Sequence, residues 1–67
     1  MTIQELGNTR YVRFIDKPKT PNNRYEVVDL QRLPWRDEFE VTLRHPALGF
    51  DLGIKENEFD RLESAPA

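Results

Sequence analysis

Few residues in this chain have the type and spacing to do chemistry. His45 is the only histidine among the 67 residues, and no cysteine is present. It lies between Arg44 and Pro46 with no serine or cysteine near it in sequence. The base and nucleophile of covalent catalysis are therefore not laid out together, and His45 reads as an exposed loop residue. Glu56, Glu58, Asp60 and Glu63 crowd the C-terminal end. A calcium loop needs alternating oxygen ligands, a glycine at the sharp turn and a terminal bidentate glutamate. That order is missing, so the four acids read as a candidate acidic binding face. No glycine-rich phosphate loop is present, and one small core has little room to enclose a pocket. The expectation is a non-enzyme with no cofactor and no metal.

A second constellation is basic and aromatic: Arg10, Tyr11, Arg13, Arg24, Tyr25, Trp35 and Arg36, with Lys17 and Lys19 between them. Cations interleaved with rings suit phosphate contact and stacking on unpaired bases. The bland alternative is a solvated face with structural tyrosines. Trp35 has the same two readings, a lid on the core or a platform for a ligand.

The charge is divided along the chain. Residues 1–36 carry seven basic and four acidic groups, and residues 37–67 carry three basic and eight acidic ones. Strands from the two halves lying side by side would turn this into cross-strand ion pairing. A charged face presented to a partner is the other reading. The formal net charge is −2, and 33% of residues are charged, which fits a folded soluble domain. No apolar run approaches the roughly 18 residues of a membrane span. The first ten residues lack the pattern of a secretory signal, so a cytoplasmic location is expected.

The elements that must position these groups follow from apolar periodicity. Phe39, Val41 and Leu43 alternate with Glu38, Glu40, Thr42 and Arg44, as in a half-buried strand. His45 to Gly49 is a loop punctuated by Pro46 and Gly49. Phe50, Leu52 and Ile54 alternate again, with Gly53 outward, which signals a bulge or a close neighbour. Asn57 is placed to cap a short helical turn whose Phe59 and Leu62 share a side. Earlier, Arg10–Asp16 reads as a strand and Lys17–Asn23 as a loop carrying Pro18 and Pro21.

Arg24–Leu33 is ambiguous. As a strand it places Tyr25 and Val27 on one face, but Val28 and Leu30 then fall on the other unless a bulge intervenes. As a helix over 21–33 it starts at Thr20-Pro21 and stops at Pro34. The strand is favoured because its neighbours leave a gap that a strand fills. The expected organisation is a loosely ordered N-terminus over 1–9, one small β domain over 10–63 and a flexible tail over 64–67.

Strand, proline-bearing loop, strand, turn, hairpin and closing helical turn resemble the plan of SH3-like small β-barrels. The hairpin Phe39–Ile54 and the turn Asn57-Glu58-Phe59-Asp60-Arg61-Leu62 carry that resemblance. It covers residues 10–63 as an order of elements. The paired-aromatic signature of peptide-binding members is missing, and a methyl-lysine cage would have only Tyr11, Tyr25 and Trp35 to draw on. The expected fold is therefore mainly β: a small SH3-like barrel or a strongly bent antiparallel sheet with one short C-terminal helical turn. The alternative is α+β with the helix at 21–33. The expected function is a non-catalytic module that binds a protein through a charged face or loop aromatics. One alternative is nucleic-acid binding through the basic, aromatic half. Another is a small acidic inhibitor of a nucleic-acid-binding protein, for example one encoded by a phage. An exposed sheet edge also makes a homodimer an expected option.

Overall fold

Alternating side chains make a strand only where one face finds a core, and the central strands show this most clearly. In a computed structural model that describes residues 1–66, β1 is Tyr11–Phe14, β2 Tyr25–Leu33, β3 Glu38–Arg44, β4 Asp51–Lys55 and β5 Leu62–Ser64. They form one antiparallel sheet in the order β4-β3-β2-β1-β5. Val41 and Leu43 of β3 are completely buried, while Glu40 and Thr42 alternate with them on the outer face. Across the β3–β4 hairpin, Val41 faces Ile54 and Leu43 faces Leu52 in unbroken register. Gly53 marks a close neighbour and not a bulge. A Cβ there would lie 3.1 Å from the Glu40 carboxyl carbon.

The ambiguous segment is a strand, so the helix at 21–33 is overturned. Seven of the nine residues of β2 pair with β3, and the register shifts between Val27 and Asp29. That bulge at Val28 absorbs the slip in the apolar pattern. Val27 then faces Leu43, and Leu30 faces Val41, both on the core side. A helix here would leave the facing backbone of β3 without partners, a cost larger than any difference in propensity.

Every strand contributes to a single apolar cluster that includes Val12, Phe14, Tyr25, Val41, Leu43, Ile54 and Leu62. One sheet can surround one core only by curving, because little helix is available to cover its inner face. A turn of 3-10 helix, Glu56–Arg61, carries the chain from β4 to β5 and sends Phe59 into the core. The order of elements expected from the SH3-like resemblance is therefore present, as an open sheet with β4 and β5 at its edges. Lys55, and not Asn57, occupies the N-cap of the 3-10 turn, and Asn57 lies within it.

Both termini carry regular structure. Helix α1, Ile3–Gly7, begins with a capping box: Glu5 N–H donates to the Thr2 hydroxyl, and Thr2 N–H donates to the Glu5 carboxylate. Leu6 is 1% exposed and joins the core. The Met1 ammonium donates to the Phe59 carbonyl at 2.6 Å. At the other end, Ser64 belongs to β5, and Ala65 N–H donates to the Tyr11 carbonyl at 2.9 Å. Of the expected tail, Ala67 lies outside the described residues. No helix among the described residues is long and apolar enough to cross a membrane.

Candidate functional site

The acidic candidates are engaged within the fold. Glu58 pairs with Arg61 at 3.0 Å, and Glu63 lies 3.4 Å from Arg13. Glu56 accepts the backbone N–H of Phe39 at 3.0 Å. Only Asp60 of the four has no ion-pair or hydrogen-bond partner among the described residues. Arg61 also reaches Asp16 at 3.3 Å, and hydrogen bonding to Glu58 with the charge of Asp16 raises its pKa above the ordinary value. Arg44 is raised in the same way by Asp51.

The basic and aromatic candidates do not converge. Tyr25 is buried and packs edge-on to Phe14 and His45, with ring centroids 5.4 Å apart in each case. Arg10 lies 3.9 Å from Glu26, and Arg36 lies 3.1 Å from Glu38. Arg13 and Arg36 approach their carboxylates without aligned hydrogen bonds, so Coulomb attraction holds those pairs. The Arg24 guanidinium sits 3.7 Å from the Tyr11 ring centre, and its Nε donates to the Pro66 carbonyl. Trp35 is 74% exposed in the turn between β2 and β3. Tyr11 is level with Glu26 at the other end of β2, so the two rings are on the order of 20 Å apart along the strand.

Among the described residues, four of the seven ion pairs join residues 1–36 to residues 37–66. The charge split is thus largely used in pairing strands and turns. The exposed ones among them, Arg32–Asp37 and Arg61–Asp16, are each worth little, roughly 0–1 kcal/mol. Their main consequence is to occupy charges that looked available.

What stays open is a groove that sequence reasoning did not single out. It lies between the β1–β2 loop and the β3–β4 loop, with a volume of about 470 Å³. Its floor is Tyr25 and His45, and its walls include Lys17, Pro18, Leu48 and Phe50. His45 is 3% exposed, which corrects the exposed-loop reading. Its Nδ1 accepts Leu48 N–H at 3.1 Å, so its Nε2–H donates to the Asn22 carbonyl at 3.1 Å. The ring thereby ties the two loops together. Gly49, at φ 75°, lets the β3–β4 loop close, and Gly49 N–H donates to the His45 carbonyl at 2.7 Å.

That closure lifts Phe50 out of the strand. It was expected to point inward, yet it is 40% exposed and stacks on His45 with centroids 5.2 Å apart. Leu48 is 73% exposed. The signal available in sequence was two large apolar residues flanking Gly49 in a loop too tight to bury both. Lys17 and Lys19 in the facing loop have no carboxylate partner among the described residues. The Lys17 ammonium lies 4.9 Å from the Phe14 ring centre.

Fold and site together define a small open-sheet β domain with an apolar groove between two loops. No protein-family model matches the chain, and no curated protein or solved structure shows significant similarity to it.

Proposed function

We propose that the chain is a non-catalytic protein-binding module whose groove between the β1–β2 and β3–β4 loops takes a short acidic segment bearing one apolar anchor. The observation that carries this reading is the pairing of exposed Leu48 and Phe50 with Lys17, which no carboxylate among the described residues occupies. Apolar anchors in a groove supply affinity, and unpaired charges at its rim supply orientation and rate. The floor is rigid, because Tyr25 is packed and His45 is held from both sides. A ligand would therefore order little of the protein on binding. The acidic-face version and the nucleic-acid alternative draw less support, since most of their charges are already paired and Tyr11 and Trp35 stand apart.

Selection from a displayed peptide library tests the proposal. Enriched peptides are expected to place an aliphatic or aromatic residue beside Asp or Glu. Their binding should weaken with salt. Leu48→Ala or Phe50→Ala should each cost about 1–2 kcal/mol of affinity, and Lys17→Glu should weaken acidic ligands selectively. Enrichment of basic peptides, or affinities indifferent to Leu48→Ala and Lys17→Glu, would overturn it.

A further inference from the structure

We infer that the free edge of β4 pairs antiparallel with β4 of a second copy of this chain, on a two-fold axis through Gly53.

The hairpin with β3 fixes which backbone groups of β4 are free. His45 N–H donates to the Phe50 carbonyl at 2.9 Å, so this pair is a hydrogen-bonded rung of the hairpin. Rungs alternate along an antiparallel ladder. Leu52 and Ile54 therefore bond to β3, opposite Leu43 and Val41. Asp51, Gly53 and Lys55 turn their N–H and C=O groups to the open edge. None of these groups is bonded to another described residue outside the strand, except that the Lys55 carbonyl, at the N-cap, accepts the first bond of the 3-10 turn.

A two-fold axis through Gly53 makes these free groups meet. Each Gly53 N–H donates to the Gly53 carbonyl of the other copy. Each Lys55 N–H donates to the Asp51 carbonyl of the other copy. The side chains agree with this register. Asp51 stands directly opposite Lys55 of the second copy, and Lys55 opposite its Asp51. Opposite charges facing across a ladder are favourable. Lys55 has no carboxylate partner among the described residues. On the inner face, Leu52 meets Ile54 of the second copy, which continues the apolar surface of the sheet. At the axis, the absence of a Cβ on Gly53 leaves room for the Glu40 carboxylate of each copy, and these two acids are flanked by the Lys55 ammoniums, since Lys55 is level with Glu40 in the β3–β4 ladder.

Lysine on an edge strand ordinarily discourages pairing. Here the same residue becomes complementary once the strand is reversed onto itself. The other edge lacks this property. β5 has three residues, Leu62–Ser64, and a two-fold axis at its centre would set Glu63 against Glu63. The β4 contact is short, so it belongs with weak, concentration-dependent interfaces.

Sedimentation equilibrium over a concentration series extending to millimolar protein tests the inference. The native chain should show a reversible monomer–dimer equilibrium. Lys55→Asp places two acids opposite each other at both ends of the ladder, and Asp51→Lys places two lysines there. Each variant alone should dimerise about tenfold more weakly or worse. Mixed in equal amounts they should form a heterodimer, because every facing pair is then opposite in charge. Circular dichroism on each variant checks that the monomer is folded, and both substituted side chains are exposed. A native chain that stays monomeric throughout would overturn the inference. So would a dimer that neither substitution weakens, or variants that fail to recombine. The groove lies on other residues, so peptide binding is read separately in the same variants.

Discussion

Asn23 pairs with Phe14 as one strand residue pairs with another, although Asn23 contributes only its side chain. Phe14 N–H donates to Asn23 Oδ1 at 2.9 Å, and Asn23 Nδ2 donates to the Phe14 carbonyl at 2.9 Å. The same amide reaches the Pro18 carbonyl at 3.0 Å. Asn23 is 6% exposed, so it satisfies backbone groups that water does not reach freely. This clamp holds the β1–β2 loop, and with it one wall of the groove.

Asn23→Ala is therefore expected to be among the more damaging polar substitutions. It strands a buried donor and a buried acceptor, a loss of about 2–4 kcal/mol. A domain of this length has only about 3–10 kcal/mol in total. Urea unfolding followed by tryptophan fluorescence or circular dichroism would measure the change. Asn23→Asp should not rescue it, because the second oxygen would face the carbonyls of Phe14 and Pro18.

His45→Ala should release one loop from the other. It frees the Leu48 N–H and the Asn22 carbonyl and removes the ring stacked under Phe50. The expected cost is about 2–3 kcal/mol. Amide hydrogen exchange should show the Leu48 N–H losing protection while the β2–β3 ladder keeps it. Full protection at Leu48 in the variant would show that the ring does not hold the loop.

Phe59→Ala tests the closing turn. Phe59 is 3% exposed in the core between the strands and α1. Truncation should cost about 3–5 kcal/mol and leave the domain partly unfolded at room temperature. Phe59→Leu should cost far less. Thermal melts of both variants would separate lost volume from lost aromaticity.

Acid should loosen α1 through Glu5. The Thr2 backbone N–H, followed by the Thr2 side chain, holds the Glu5 carboxyl below its ordinary pKa. Folding thus favours the charged form. The contribution is fully present above the unfolded pKa and is lost as pH falls through the lower folded value. Amide shifts across Ile3–Gly7 should move toward unstructured values in that acidic window. Glu5→Gln should abolish that step and leave the rest of the titration in place.

The strands were largely legible in the sequence because burial with a period of two is a local property. Phe39, Val41 and Leu43 announced β3, and the slip at Val28 announced the bulge that keeps Val27 and Leu30 inside. The curvature of the sheet and the closing role of Phe59 followed from the same pattern. The candidate site was much less legible. Glu56, Glu58, Glu63, Arg13 and Arg36 looked available, and each is engaged with another part of the chain. Leu48 and Phe50 looked like loop and core, and they form the exposed apolar part of the groove.

The sequence by itself determined where strands run, which of their faces is apolar and where proline and glycine break them. Those outcomes depend on neighbours within a few positions. Only the tertiary structure decided which charges are occupied, that His45 is buried and that Asn23 completes a strand it does not belong to. Arg61 meets Asp16 across 45 positions and His45 meets Asn22 across 23. An ion pair or a buried hydrogen bond is set by distance in space, and no local pattern encodes a partner that remote.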